Sequence, residues 1–162
     1  MQIAILSDSH DNIWKLSAAM PYLAAADAVI HCGDLIAPFM ILRLMKGTDG
    51  KPVHIVWGNN DGDKGLIAEV AAEAKNIHLH GDFAHLELGG LRIAANHYPK
   101  IARTLADAGS YDVVCYGHDH TAHEEWIGDT LLLNPGELMG LQGRSTIALL
   151  DTEKRSVEFV EI

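Results

Sequence analysis

Histidine is the unusual count in this chain, with 10 His against 12 Lys and Arg together. Most of the notable ones sit with Asp or Asn in short polar clusters. These are Asp8-x-His10, Gly33-Asp34, Gly58-Asn59-Asn60-Asp61, Asn96-His97 and Gly117-His118-x-His120. Asp8, His10, Asp34, Asn59, His97, His118 and His120 together offer carboxylate, amide and imidazole donors. That is more than one ion needs and suits two ions sharing a ligand. Mixed oxygen and nitrogen donors favour Mn²⁺, Fe²⁺, Co²⁺, Ni²⁺ or Zn²⁺ over Ca²⁺ and Mg²⁺, which prefer all-oxygen shells. Two such ions about 3.5–4 Å apart can share a hydroxide at neutral pH and stabilise an in-line displacement at phosphorus. Each cluster alone has an ordinary explanation, since Gly-Asp is turn chemistry and Gly-Asn-Asn-Asp reads as a turn and helix cap. Turns do not explain their recurrence in order.

The elements that must position these residues are visible as apolar runs. Ile3 to Leu6, Ala28 to His31, Val53 to Trp57, Leu91 to Ala95 and Val113 to Tyr116 each lead directly into a cluster. They are short and nearly free of polar residues, as strands buried on both faces are. The clusters thus fall at carboxyl ends of strands, where open α/β sheets bind ligands. On an extended backbone, residues two apart point the same way, so Asp8 and His10 are expected to align, as are His118 and His120. Helices are expected from Ile13, capped by Asn12 or Asp11 and broken or kinked at Pro21. Others are expected from Pro38 to Gly47, from Leu66 to Lys75 and from Pro99 to Ala108. Gly89-Gly90 marks a hairpin between Phe83–Leu88 and Leu91–Ala95, and Gly128-Asp129 a turn within Ile127–Leu133. Thr146 to Leu150 and Val157 to Val160 supply further strands. The pattern reads as a mixed α/β layered domain, α/β/β/α, parallel in its first half and antiparallel in its second.

Composition narrows the function. A length of 162 residues fits one domain spanning 1–162. The net charge of −10 disfavours a broad basic surface for nucleic acid. Hydrophobic residues at 48% and charged residues at 21% exclude a disordered chain. No apolar run approaches the ~20 residues that cross a bilayer, so no membrane partner is expected. The N-terminus lacks the form of a secretory signal, which points to a cytoplasmic protein. Cys32 and Cys115 are too few for a disulfide framework and read as buried thiols.

The series Asp8-x-His10, Gly33-Asp34, Gly58-Asn59-x-Asp61, His97 and Gly117-His118-x-His120 resembles the calcineurin-like metallophosphoesterases. Asn134-Pro135-Gly136 is similar to their small branch, compact phosphodiesterases related in fold to the retromer subunit Vps29. The resemblance implies a four-layer α/β/β/α sandwich with a binuclear site at one edge of its two sheets. It implies that Asp8, His10, Asp34 and His120 hold one ion, that Asp34 bridges, and that Asn59, His97 and His118 complete the second. Manganese is the first expectation among the ions. Asn59, Asn60, Asp61 and His97 are the residues expected to act on substrate. The function implied is hydrolysis of small phosphodiesters; a Vps29-like interaction module and a nuclease with the same centre are the rival readings. Physiological substrate and oligomeric state, a homo-oligomer included, stay open.

This chain departs from the family pattern twice. After the metal-binding Asn, the phosphatase relatives carry a His that protonates the leaving group; here Asn60 can donate a hydrogen bond but cannot transfer a proton. After His97 the family has Gly, whereas this chain has Tyr98-Pro99, leaving a phenol either beside the ions or turned into the core. Other histidines are read differently. His78 and His80 look like an exposed strand face, His85 like a surface residue, and His31 and His54 like hydrogen-bonded residues inside strands. His123 lies close enough after His120 to serve as a spare proton donor, and Asp119 should point away from the ions. Trp14, Trp57 and Trp126 are expected in the core. No arginine lies within a ligand motif, which favours diesters over monoesters.

Overall fold

A computed structural model describes residues 1–162. Alternation along the strands creates its layers. In β1 (Gln2–Leu6), Ile3 and Ile5 enter one core while Ala4 and Leu6 enter another. After β1 come α1 (Ile13–Ala25), β2 (Ala28–His31), α2 (Pro38–Gly47), β3 (Val53–Ile55), α3 (Lys64–Ala72) and β4 (Ile77–Leu79). Then follow β5 (Phe83–Leu88), β6 (Leu91–Asn96), α4 (Pro99–Asp107), β7 (Val113–Cys115) and β8 (Ala122–Ile127). β9 (Thr130–Pro135), β10 (Thr146–Asp151) and β11 (Ser156–Glu161) close the chain.

Two mixed sheets result, ordered β11-β10-β1-β2-β3-β4 and β5-β6-β7-β9-β8. The first packs Ala4, Leu6, Val29, Val53 and Ile55 against Leu16, Leu23, Met40, Leu44 and Ile67 of α1, α2 and α3. Its other face, with Ile3, Ile5 and Ile30, meets Ile93, Val113, Cys115, Leu131 and Leu133 of the second sheet. Behind that sheet, Ala94, Val114 and Leu132 pack against Ala102 and Ala106 of α4. The expected α/β/β/α sandwich is therefore present, with a single helix as its fourth layer.

Local details differ from expectation for physical reasons. The second half is not simply antiparallel: β6, β7 and β9 run parallel, because α4 carries the chain back between β6 and β7. Helix α1 continues through Pro21 to Ala25. Pro21 is exposed, as is Ser17, whose carbonyl loses its i+4 donor, so water can replace the missing N–H. Asn12 is the cap, accepting from Lys15 N at 3.1 Å, while Asp11 accepts from Ala37 N at 3.0 Å. Asp63 caps α3 through Leu66 N, which starts that helix earlier than its Ala-rich stretch suggests. Trp14 and Trp126 are not core residues; Trp14 is 78% exposed, and only Trp57 packs on the apolar core. No helix is long and apolar enough to cross a membrane.

Candidate metal centre

The turns leaving β1, β2, β3, β6 and β7 meet at one rim and carry all seven expected ligands there. They do so without extended backbone. Asp8, His10, Asp34, His118 and His120 have φ of 51°, 39°, 57°, 76° and 58°. Side chains rarely adopt this left-handed region, and its concentration here is strain of the kind functional sites hold. Strand pleating therefore does not align these pairs as a spacing of two suggested: tight turns bring the residues to the rim, and His118 and His120 reach different donor sets. Glycine permits the close approach: a Cβ on Gly58 would strike the Asp34 carboxylate, and one on Gly117 would strike Ser7.

Two donor sets share Asp34. In the first, Asp8 Oδ1 lies 3.4 Å from His120 Nε2 and 3.8 Å from His10 Nε2. In the second, Asn59 Oδ1 lies 3.1 Å from His97 Nε2 and 2.8 Å from His118 Nδ1. Asp34 Oδ2 stands between them, 3.5 Å from His10 Nε2 and 3.4 Å from His97 Nε2. Asp8, His10 and His120, and likewise Asp8, Asp34 and His97, have donor atoms close enough together to hold an ion.

Neighbouring groups fix which atoms face inward. His97 Nδ1 donates to the Cys32 carbonyl at 2.8 Å, leaving Nε2 to the centre. His120 Nδ1 donates to Glu137 Oε2 at 2.8 Å with the same effect. Asp8 Oδ2 accepts from His118 N at 3.1 Å, so Oδ1 is the oxygen left free. Asp119 turns away, as expected, and accepts from Asn134 Nδ2 at 2.6 Å. Buried His31 binds Ser9 Oγ and accepts from Gly33 N, tying together the first two ligand turns. Burial holds its imidazole down at about 4.

A cation fits this arrangement. Asp8 Oδ1 and His10 Nε2 are buried without hydrogen-bond partners. With its Nδ1 proton committed to Cys32, neutral His97 points a lone pair at two further acceptors, Asn59 Oδ1 and Asp34 Oδ2. Such atoms repel unless positive charge lies among them. The centre attracts it: burial lowers the proton affinity of His97, but Asp34 and the Cys32 carbonyl more than reverse this. Burial raises Asp34, yet the His97 ring beside it and the two hydrogen bonds from Asn60 hold it well below the usual carboxylate range.

Two residues expected to act on substrate are otherwise engaged. The buried carboxylate of Asp61 accepts from the backbone N–H of Asp34, Leu35, Ile36 and Gly58, at 3.2, 2.8, 2.9 and 2.6 Å. Asn60 donates to Asp34 twice, from its backbone at 2.8 Å and from Nδ2 at 2.7 Å. Tyr98 is not in the core; its ring centroid lies 5.3 Å from that of His97 and 5.4 Å from that of His118. His54, His78 and His80 lie outside the centre, and His123 contacts Tyr116 OH at 3.3 Å. Glu137 is the residue the motifs miss. Its signal was Asn134-Pro135-Gly136, a further polar cluster at a strand end. Arg144 is likewise outside every motif, yet it lines a cavity of about 270 Å³ with His120, Thr121 and Gln142.

Residues 1–155 match the calcineurin-like phosphoesterase superfamily domain. A phosphodiesterase of Methanocaldococcus jannaschii is 35% identical over 169 aligned positions, covering 100% of this chain and 98% of its own. The solved structure of an archaeal phosphodiesterase superposes with a TM-score of 0.92 at 32% identity, covering 100% of both chains. A Vps29 mutant from Entamoeba histolytica reaches a TM-score of 0.72 over 100% of this chain and 99% of its own. At 16% identity that likeness is one of fold alone.

Proposed function

The chain belongs to the calcineurin-like phosphoesterase superfamily, and on that premise we propose that it is a metal-dependent phosphodiesterase acting on small phosphodiesters. The observation carrying this reading is the position of Asp34 Oδ2 between two sets of electron-rich donors. Asp8, His10 and His120 would hold one divalent ion, and Asn59, His97 and His118 the other, with Asp34 common to both. Manganese is the first candidate, given the mixed oxygen and imidazole donors. When bound, such a pair supplies Lewis-acid charge to the phosphoryl oxygens and a nucleophile at neutral pH.

The chain's own residues do the remaining work. Glu137 and the Cys32 carbonyl orient His120 and His97, which leaves both Nε2 atoms unprotonated and aimed inward. Asp61 locks the Asp34 turn to the Asn59 turn, so the two donor sets keep their separation. With Oδ1 of Asn59 facing the histidines, its Nδ2 is free to donate to a phosphoryl oxygen. Asn60 cannot protonate a leaving group, so the best substrates should be esters of acidic alcohols such as phenols. The net charge of −10 argues against a nuclease, and a purely protein-binding module would have no need of these orphaned donors.

Hydrolysis of bis-p-nitrophenyl phosphate by chelated and metal-restored protein tests the reading. Activity that disappears on chelation and returns with Mn²⁺ supports it. Metal-restored protein without activity on any small diester contradicts it.

A further inference from the structure

The sequence pattern sets His78 and His80 aside as one polar face of an edge strand. In the folded chain a third histidine joins them. β3 and β4 pair in parallel with His54 opposite His78, and His80 follows two residues on. His54 Nδ1 lies 3.0 Å from His80 Nε2. The His54 ring centroid is 5.1 Å from that of His78 and 5.2 Å from that of His80. At the metal centre His97 Nε2 and His118 Nδ1 are likewise close, 3.3 Å apart, but their rings meet edge-on at 77° where those of His54 and His78 stack at 23°.

We propose that His54, His78 and His80 form a second metal site, built from none of the residues of the first, for a zinc-class divalent ion. Three imidazoles with no oxygen donor suit Zn²⁺, Ni²⁺ or Cu²⁺ and disfavour Mn²⁺ and Mg²⁺. A set of three leaves a fourth position to water. His54 and His80 are partly buried and hydrogen-bonded to each other, whereas exposed His78 stacks on His54 with its donor atoms still apart from theirs, so an ion enters from solvent and the His78 ring must turn to complete the site. Burial, with the neighbouring imidazoles adding to it, holds His54 at about 4 and lowers His80, so the lone pairs that coordination needs are available at neutral pH.

Equilibrium dialysis of untagged protein against Zn²⁺, with bound zinc counted by mass spectrometry, tests this. Wild type should hold one zinc ion more than His78→Ala and than His80→Asn. A double variant, Asp8→Asn with His120→Ala, weakens the phosphodiesterase centre and should keep the histidine-bound ion. The His78 side chain is exposed, so His78→Ala leaves the fold intact. Equal zinc content in wild type and His78→Ala overturns the site, whatever the first centre binds. So does loss of all zinc from the double variant.

Discussion

Wholly buried Glu137 accepts a 2.8 Å hydrogen bond from Nδ1 of His120, so His120 can present only Nε2 to Asp8. Its other oxygen accepts from the backbone N–H of Gln142 and Gly143, each at 2.6 Å, which anchors the carboxylate itself. Carboxylates placed this way behind a metal-binding histidine typically account for about 10–100-fold in metal affinity. Glu137→Gln should therefore shift the metal concentration for half-maximal activity upward by about that factor, with turnover recovering at saturation. An unchanged metal titration would remove Glu137 from the account.

Asp61 serves geometry before chemistry. Asp61→Ala strands four backbone donors, and buried unsatisfied donors are costly, so unfolding of metal-free protein in urea should show a loss on the order of 3 kcal/mol. Asp61→Asn keeps acceptor capacity and should recover part of it. A variant as stable as wild type would mean these contacts are dispensable.

Asn60 occupies the position that the resemblance gives to a proton donor for poor leaving groups. Asn60→His should raise turnover on alkyl phosphodiesters more than on aryl ones, because aryl leaving groups depart without protonation. Kinetics on a series of esters graded by leaving-group pKa would show a shallower dependence in the variant. Equal effects across the series would deny position 60 this role. Asn60 also holds Asp34 through its Nδ2, so metal affinity should be measured alongside.

Acid should destabilise the metal-free protein through His31. Its folded value is about 4 against an ordinary 6.5, because burial opposes the charge. Between those values the unfolded chain binds a proton that the folded chain refuses, so stability falls as pH drops through that window. It is fully present above pH 6.5. Urea unfolding in chelator at several pH values should give a flatter profile for His31→Gln than for wild type. Parallel profiles would assign the acid sensitivity elsewhere.

Much of this was legible in the chain because residue type and order survive folding. Five apolar runs, each ending in a polar cluster, located the strand ends and the seven candidate donors that meet at one rim. The reason those donors converge was not legible. Asp8, His10, His118 and His120 reach the rim through left-handed turns that hydrogen bonds across the fold hold in place, such as Asp8 N to the Gly33 carbonyl. Periodicity cannot report such contacts. Glu137 escaped for the same reason, since its partner His120 is 17 residues away with no repeating spacing between them. The parallel pairing of β7 with β9 was hidden by β8, which lies between them in the chain and outside them in the sheet. Trp14 was misplaced because apolar character marks a residue as able to be buried, without saying that it is.

Anomalous scattering from a crystal equilibrated with Mn²⁺ addresses the central idea most directly. Two peaks should appear on either side of Asp34, one among Asp8, His10 and His120 and the other among Asn59, His97 and His118. A single peak, or density that leaves Asp34 without a cation on both sides, would contradict a shared binuclear centre.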